Sequence, residues 1–511
     1  MTKELLMAVD LGTSFIKVGV YDLDGQEKAV AKEPVKSEEP GYGRFIQHGE
    51  DIVTAVLRCI KKVTETLAED AKRIAVIGFT GQMAGFIGVD KNWNDVTGWS
   101  CSLDTEYMPY AEKQMEKYAD QFYNISGTNS PLFSSKYEWF QSMYPNEAKR
   151  IAKYLVISGY VIGCLGDISV DDAVIDGSLI TWTGLADVRK RSWSSELCSE
   201  LGMSEEFLPR IVESSQVVAR LSKTVAEETG LIAGIPLVSG AGDKIAGCVG
   251  AENLSEGDML FEAASFGAIS CMVKEYRPDQ KERRFDILNG HEKDIFYAHY
   301  YMPGSGMTQK WYMDNFWKKE TETLKQAYDR MDQQIAKIAP GSEGIFACGM
   351  LGGTVMPLNG NLSGAFIGQT WSHGPAHLYR ALVESFAYAL SLSIRRMNAM
   401  YPEYSNRKKI RMIGGGAASS VSAQIYADVL GVPIETLEAE DPALWGACML
   451  GAQGVGLIDN LAENVKKYIK VARQFVPNEE NTKRYAALVE QYKEYTDRLT
   501  PMCAQLKKQR I

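Results

Sequence analysis

No two of the nine cysteines in this 511-residue chain are spaced as C-x-x-C, and their number is odd. That argues against a disulfide framework or a cysteine-rich zinc site and fits buried thiols in a reducing compartment. Histidine is scarce, and His48, His291, His299, His373 and His377 show no H-E-x-x-H spacing, which argues against a metallohydrolase. Long apolar runs are missing too. The longest, Leu155 to Leu165, is interrupted by glycines and too short to span a bilayer, and the first residues carry Lys3 and Glu4 rather than an apolar signal region. A soluble, cytoplasmic protein is therefore expected. An excess of positive charge is lacking, since 55 Lys and Arg stand against 65 Asp and Glu. A net charge of −10 argues against nucleic acid or anionic membrane as the main partner. Phosphates remain eligible ligands, because backbone amides and a metal can hold them locally. Absent as well are a Gly-Lys dipeptide, the H-R-D and D-F-G pair, and a G-x-G-x-x-G opening a helix after a strand. The phosphate-binding lysine loop, the protein kinases and the dinucleotide fold lose their signatures.

What is present is an ordinary globular mixture, 45% hydrophobic and 23% charged, in a chain too long for one core. Strand-like and helix-like runs alternate, which predicts an α/β fold. Leu5 to Val9 reads as a strand, Asp10-Leu11-Gly12-Thr13-Ser14 as a turn and Phe15 to Tyr21 as the returning strand. A helix is expected over 51–68, a buried strand over 74–79, and another strand over 237–239 running into Gly240-Ala241-Gly242-Asp243. Met259 to Val273 repeats the strand–turn–strand pattern around Ala264-Ser265-Phe266-Gly267. The echo suggests two related lobes, 1–250 and 251–511. A long helix is expected over 375–396, and a C-terminal one whose apolar stripe is Leu488, Tyr492, Tyr495 and Leu499.

Three segments carry candidate chemistry. Asp10 stands at the end of a buried strand beside Gly12, Thr13 and Ser14, with Lys17 a turn further on. Glycine lets backbone approach phosphate oxygens, hydroxyls and amides donate to them, and a carboxylate holds magnesium or its waters. An ordinary hairpin turn uses the same residue types. Asp243 lies just past a second buried strand, among small neighbours that leave room for substrate. It suits the base that accepts the proton of a hydroxyl attacking a γ-phosphate. A helix N-cap would also use an aspartate there. Ile410 to Ile413 empties into Gly414-Gly415-Gly416-Ala417, followed by Ser420, and such a loop lets a flat base and ribose lie against backbone.

Taken in order, these segments resemble the FGGY carbohydrate kinases, nearest the branch of xylulokinase and gluconokinase, over residues 5–457. Asp10 to Ser14 resembles the family's first phosphate motif, Ala264 to Gly267 stands in place of the second, and Gly240 to Asp243 resembles the loop of the catalytic aspartate. Lys136-Tyr137-Glu138-Trp139-Phe140 resembles part of one family signature. Gly364 to Gly368, continued by His377-Leu378 and Ala381 to Glu384, is close to the other. Gly414 to Ala417 resembles the adenosine loop. The resemblance implies two actin-like (ribonuclease H-like) lobes with a cleft between them, ATP and Mg2+ as cofactors, and phosphorylation of a sugar or polyol hydroxyl with Asp243 as base. It assigns Asp10 to the metal. Gly12, Thr13, Ser14, Lys17, Ser265, Gly267, Gly415, Gly416, Ala417 and Ser420 fall to the nucleotide, and Gln82, Met83, Asp104 and Asp243 to the sugar. A small sugar or polyol, no nucleic acid, no membrane and at most a second copy of the chain are the expected partners.

The departures lie mainly on the sugar side. Ala84 follows Gln82-Met83 where xylulokinases carry a sugar-binding His, and Ser102 and Glu106 replace the Trp and Arg of a W-x-D-x-R pattern. Ala264-Ser265-Phe266 replaces G-T-S, and Leu351 to Pro357 lacks the arginine of G-E-R-x-P. A pentulose is the first substrate expected, with gluconate, a tetritol or glycerol behind it. The altered second phosphate motif leaves open a catalytically weak sensor that binds nucleotide and sugar. An actin- or Hsp70-like polymer or chaperone would share the fold without explaining the Asp243 loop or the two signatures.

Overall fold

The computed structural model describes residues 4–41, 43–438 and 441–508. Leu5–Leu11 (β1) and Phe15–Asp22 (β2) pair antiparallel, and Glu27–Pro34 (β3) extends the meander. On the other side of β1 lies Ile74–Gly81 (β4), parallel to it. Val217–Arg220 (β5) and Pro236–Val238 (β6) complete the sheet in the order β5-β6-β4-β1-β2-β3, with β6 parallel to β4 and β5 antiparallel at the edge. Strand β1 is central and covered on both faces, which is why it reads as a nearly unbroken apolar run. It does not stop at Val9. Asp10 pairs with Lys17 on one side and Thr80 on the other, and Leu11 with Ile16 and Gly81. Ladders on both sides satisfy the backbone better than a turn would, so only residues 12–14 turn.

The second sheet repeats this plan. Met259–Glu262 (β7) pairs with Gly267–Val273 (β8), Asp286–Asn289 (β9) lies outermost, and Phe296–Met302 (β10) sits between β9 and β8. Ile410–Ile413 (β11) and Ile434–Leu437 (β12) run parallel to β7, and Val471–Phe475 (β13) closes the edge antiparallel. The order is β9-β10-β8-β7-β11-β12-β13. Apart from β9, each strand has a counterpart of the same direction in the first sheet. The echo between the two hairpins is therefore a repeat of topology.

Helix α1 (Gly49–Leu67) covers the first sheet with Ile52, Val56, Cys59, Ile60 and Val63, at helical spacing. Helix α2 (Asp243–Gly250) starts the crossing between lobes, and α3 (Pro375–Met400) is the long helix expected from the sequence, with Pro375 in its first turn. Helices α4 (Ser420–Leu430), α5 (Pro442–Gly454) and α6 (Glu479–Lys508) follow. Helix α5 lies beyond residue 250 in the chain, yet Leu444, Trp445, Ala447 and Leu450 belong to the core of the first lobe. It reaches β4 and α2 through glycines. A Cβ on Gly78 would lie 2.3 Å from the Ala447 carbonyl oxygen, and one on Gly446 2.0 Å from that of Ala246. No side chain fits either position.

Helix α6 packs on α3 and α4, burying Tyr485, Val489, Tyr492, Leu499 and Cys503. The expected stripe is rotated, since Leu488 is half-buried and Tyr495 is 36% exposed. Its cause is polar. The Tyr485 hydroxyl donates to Glu384 (2.7 Å), and Arg380 donates to both Tyr485 (3.0 Å) and Glu384 (2.9 Å) in a buried cluster that fixes the helix's rotation. All nine cysteines are free thiols, and eight of them are buried. Among the described residues no helix is long and apolar enough to cross a membrane.

Candidate active site

The open ends of β1, β4 and β6 meet at one place. Asp10 stands one residue before the end of β1, and the Thr13 hydroxyl in the following turn donates to Gln82 Oε1 at 3.1 Å. The same oxygen accepts from Trp99 Nε1 at 3.2 Å, and the Gln82 backbone N–H donates to the Leu11 carbonyl at 3.1 Å. Gln82 is thus oriented by both the first turn and the Trp99–Cys101 strand. Gln47 Nε2 holds the Thr13 carbonyl at 2.7 Å.

The loop before α2 is forced into this corner. Gly240 adopts φ +68°, and a Cβ there would lie 1.7 Å from the Phe79 carbonyl oxygen. A Cβ on Gly242 would meet Met83 Cγ at 2.5 Å, so the Met83 side chain abuts the loop directly ahead of Asp243. Gly242 is the residue that caps α2, and Asp243 is the helix's first residue. The capping role open to Asp243 in the sequence therefore falls to backbone. A carboxylate at this end is favoured by the helix dipole.

The electrostatics gather around the same residues. Burial pushes the Asp10 carboxyl up to about 7, with Asp441 and Asp243 adding negative charge and Lys17 and Lys244 opposing it. Burial also raises Asp243; the Lys244 ammonium opposes this and Glu262 adds to it. Burial alone would lower Lys244, but Glu262 and Asp243 hold its proton on. Two ion pairs are central: Lys17 to Asp441 at 2.5 Å and Lys244 to Glu262 at 2.7 Å. The second joins α2 of the first lobe to the end of β7 in the second. Asp441, Lys244 and Glu262 were not singled out from the sequence. Their only signals there are a helix-opening Asp-Pro, a Lys beside Asp243 and an acid just before the second hairpin.

Beyond Glu262 the second cluster is built of close backbone contacts. The Ser265 carbonyl accepts from Gly306 N (3.1 Å) and Met307 N (3.2 Å), and a Cβ on Gly267 would crowd the Ser305 hydroxyl at 2.7 Å. Phe266, the bulky ring of the altered motif, stacks on Tyr301 at 5.9 Å between centroids. Gly416 N donates to the Ala263 carbonyl at 2.8 Å, which locks the glycine loop against this hairpin. Gly414 turns at φ +84°, and Gly415 has nothing within 4 Å of a Cβ position. Arg473, from β13, donates to Ser420 Oγ (2.5 Å) and to the Ala417 carbonyl (2.7 Å), a brace unforeseen in the sequence. Ser14 is exposed at the tip of the first turn.

Asp104 is set apart from the others. It is 1% exposed, accepts from Ser100 Oγ, and lies 3.9 Å from the Nζ of a fully buried Lys136. Lys136 donates to Ser100 Oγ (2.5 Å) and the Cys101 carbonyl (2.8 Å), and burial pushes it down to about 8 against the pull of Asp104. Ala84 is half-buried beside Met83. Glu106, at the place of the expected arginine, faces Arg44 at 3.4 Å.

Models of the FGGY family of carbohydrate kinases match the chain twice, the N-terminal domain over residues 5–250 and the C-terminal domain over 272–455. The xylulose kinase of Bacillus subtilis is 26% identical over 494 residues, with 96% of each chain covered. The gluconokinase of the same organism is 26% identical over 505 residues, covering 95% of this chain and 94% of its own. Among solved structures, a gluconate kinase from Lactobacillus acidophilus superposes with a TM-score of 0.89 at 21% identity, over 98% of this chain and 99% of that one. The ordered motifs, the repeated sheets and the two matched domains agree. This chain belongs to the FGGY family of carbohydrate kinases and is an ATP-dependent sugar kinase.

Proposed function

We propose that the protein transfers the γ-phosphoryl group of ATP to a hydroxyl of a small sugar or polyol, with Asp243 as the general base. The observation that carries the reading is the corner where the loop leading into Asp243 abuts Met83, beside the Gln82 that the Asp10 turn holds through Thr13, and where Asp243 adds its negative charge at Asp10. Burial lifts Asp243 above the ordinary carboxylate range, toward the working pH, which suits a base that must gain a proton. Lys244 beside it keeps the ionised form accessible. Gly12, Thr13 and Ser14, with Lys17, and on the opposite lobe Ser265 and Gly267, are assigned to the phosphates. Gly415, Gly416, Ala417 and Ser420 are assigned to the adenosine. The lobes divide near residue 250, and the free, buried thiols suit a cytoplasmic setting.

The donor set around Asp10 fits a divalent cation. Its carboxyl is held near neutrality by burial and by neighbouring acids, a penalty that a cation relieves. Among the described residues no three acidic, imidazole or thiolate groups converge, so Mg2+ would sit on Asp10, water and phosphate oxygens. When bound, it neutralises phosphate charge. Asp10→Ala is accordingly expected to raise the Mg2+ concentration needed for half-maximal rate while leaving the sugar KM near that of the parent. An unchanged Mg2+ requirement in a rate titration would remove Asp10 from the metal.

Gln82 and Met83 are assigned to the sugar wall, and Asp104 to ordering the turn behind it. A ketopentose of the xylulose type is the first substrate candidate, with gluconate, a tetritol and glycerol next. Coupled ADP release across D-xylulose, L-xylulose, D-ribulose, D-gluconate, erythritol and glycerol tests the reading. No acceptor-dependent ADP release with any of them would overturn it. A site lacking a hydrogen-bond donor discriminates weakly, and Ala84 offers none where relatives have His. Ala84→His is expected to raise kcat/KM for D-xylulose relative to the best acceptor of the panel. An unaltered preference in a folded variant would assign Ala84 to packing alone.

A further inference from the structure

Behind the Asp243 loop lies a buried carboxylate that no step of the phosphoryl transfer uses. Asp176 ends the Val174–Asp176 strand and is 2% exposed. One of its oxygens accepts from the Ser178 backbone N–H at 2.8 Å and from the Ser178 hydroxyl. The other accepts from Ser214 Oγ at 2.8 Å. Both serines are fully buried, and both continue to the loop. The Gly242 N–H donates to Ser178 Oγ at 3.0 Å, and the Gly240 N–H donates to the Ser214 carbonyl at 2.9 Å. The two ends of Gly240-Ala241-Gly242 therefore hang from serines that share one carboxylate.

Asp176 is the N-cap of the short turn Gly177–Leu179, and capping accounts for the bond from Ser178 N. It does not account for the rest. A serine hydroxyl has one proton and two lone pairs. With its proton committed to Asp176, Ser178 Oγ presents only lone pairs toward Gly242 N, the peptide that leads directly into Asp243. Without that acceptor the hydroxyl is free to rotate, and its proton can point at the Gly242 N–H instead. The carboxylate is also charged where charge is expensive. Burial pushes it up to about 6, with the Arg191 guanidinium and the serine donors opposing. Arg191 in turn donates from Nη1 to the carbonyls of Gly290 (3.1 Å) and Glu292 (3.3 Å) on the second lobe.

We propose that Asp176, acting through Ser178 and Ser214, is a positioning residue that aims the Asp243 carboxylate by fixing both ends of its loop. The assignment rests on Asp243 being the base. A displacement of about 1 Å at a reacting group costs up to about 100-fold in rate, so loosening this anchor should be visible in turnover.

The test is Ser178→Ala, made in the parent and in the Asp243→Asn background, with the best acceptor of the panel above and saturating ATP. In the parent, kcat is expected to fall about 10- to 100-fold while KM for ATP and acceptor stay close to parent values. In the Asp243→Asn background the same change is expected to add almost nothing, because the group being aimed is gone. Ser214→Ala, which removes the donor to the other oxygen, should lower kcat in the same direction by a smaller factor. An equal further loss in both backgrounds, a loss confined to KM, or parent-like kcat in Ser178→Ala would overturn the proposal. Failure of both serine variants to fold would overturn it too, making the cluster a folding determinant instead. Should Asp243→Asn alone retain turnover, the base assignment falls, whereas the parent-background kcat still reports on the loop anchor.

Discussion

Asp243→Asn is expected to slow turnover by about 10²–10⁴-fold, the range typical for removing a positioned general base. Asparagine keeps the size and most of the hydrogen bonding, so Gly242 and Met83 should keep their contact and the nucleotide should bind as before. What is lost is the ability to accept the hydroxyl proton. Two readouts separate this from a packing defect. The first is nucleotide affinity, measured by calorimetry, which should be unchanged. The second is the acid side of the kcat profile. Asp243 is raised by burial, so in the parent kcat should begin to fall at a pH above the ordinary carboxylate range as the base gains its proton. The variant lacks that group, so the share of the limb due to Asp243 should disappear and only the share due to Asp10 should remain. Turnover within a few-fold of the parent would end the assignment.

How far this could be read without coordinates depended on the distance over which each feature is encoded. Asp10 and Asp243 are legible because Asp10 closes an apolar run that reads as a buried strand and Asp243 lies one short glycine loop past another, and strand ends are where polar groups emerge. The topological repeat was visible only as two similar hairpins, since β4 and β11 carry no shared residue pattern, only shared pairing. Lys17 and Asp441 are 424 residues apart, and nothing local marks Asp441 as its partner. The same holds for Lys244 and Glu262, where only the approach of the lobes makes a salt bridge. Helix α6 shows a subtler limit. Its apolar period was correct, but its rotation is set by the polar Arg380–Glu384–Tyr485 cluster, which hydrophobic spacing ignores. On the sugar side, Ala84 and Glu106 are visible as departures from a pattern. What they permit depends on a pocket shaped by a few contacts rather than by any repeating signal.

Asp104 is buried beside a buried lysine, and that partner supplies the second large effect. Lys136→Met is expected to destabilise the fold by about 3–5 kcal/mol, because it leaves a buried carboxylate without its counter-charge. Asp104 keeps the Ser100 hydroxyl and the Glu106 backbone N–H (3.3 Å), but these neutral donors do not replace a counter-charge. Removing the charge from both partners, as Asp104→Leu with Lys136→Met, should recover most of the loss, since a buried pair replaced by apolar groups of similar volume is often neutral in stability. Thermal or denaturant unfolding of the three proteins measures this coupling directly. The parent should carry a further signature. The folded state lowers Lys136 to about 8, below an unfolded lysine, so between these values the unfolded chain binds the extra proton. Stability contributed at this site therefore rises as pH climbs through 8 toward the ordinary lysine range, and that slope should vanish in Lys136→Met. The double variant also decides what Asp104 does for the sugar. With 1% exposure and its carboxylate turned to Ser100, Asp104 is expected to act by ordering the strand that presents Trp99 to Gln82, so a refolded double variant should keep a sugar KM near the parent's. A KM that stays raised after stability has been restored would mean that Asp104 reaches the sugar itself.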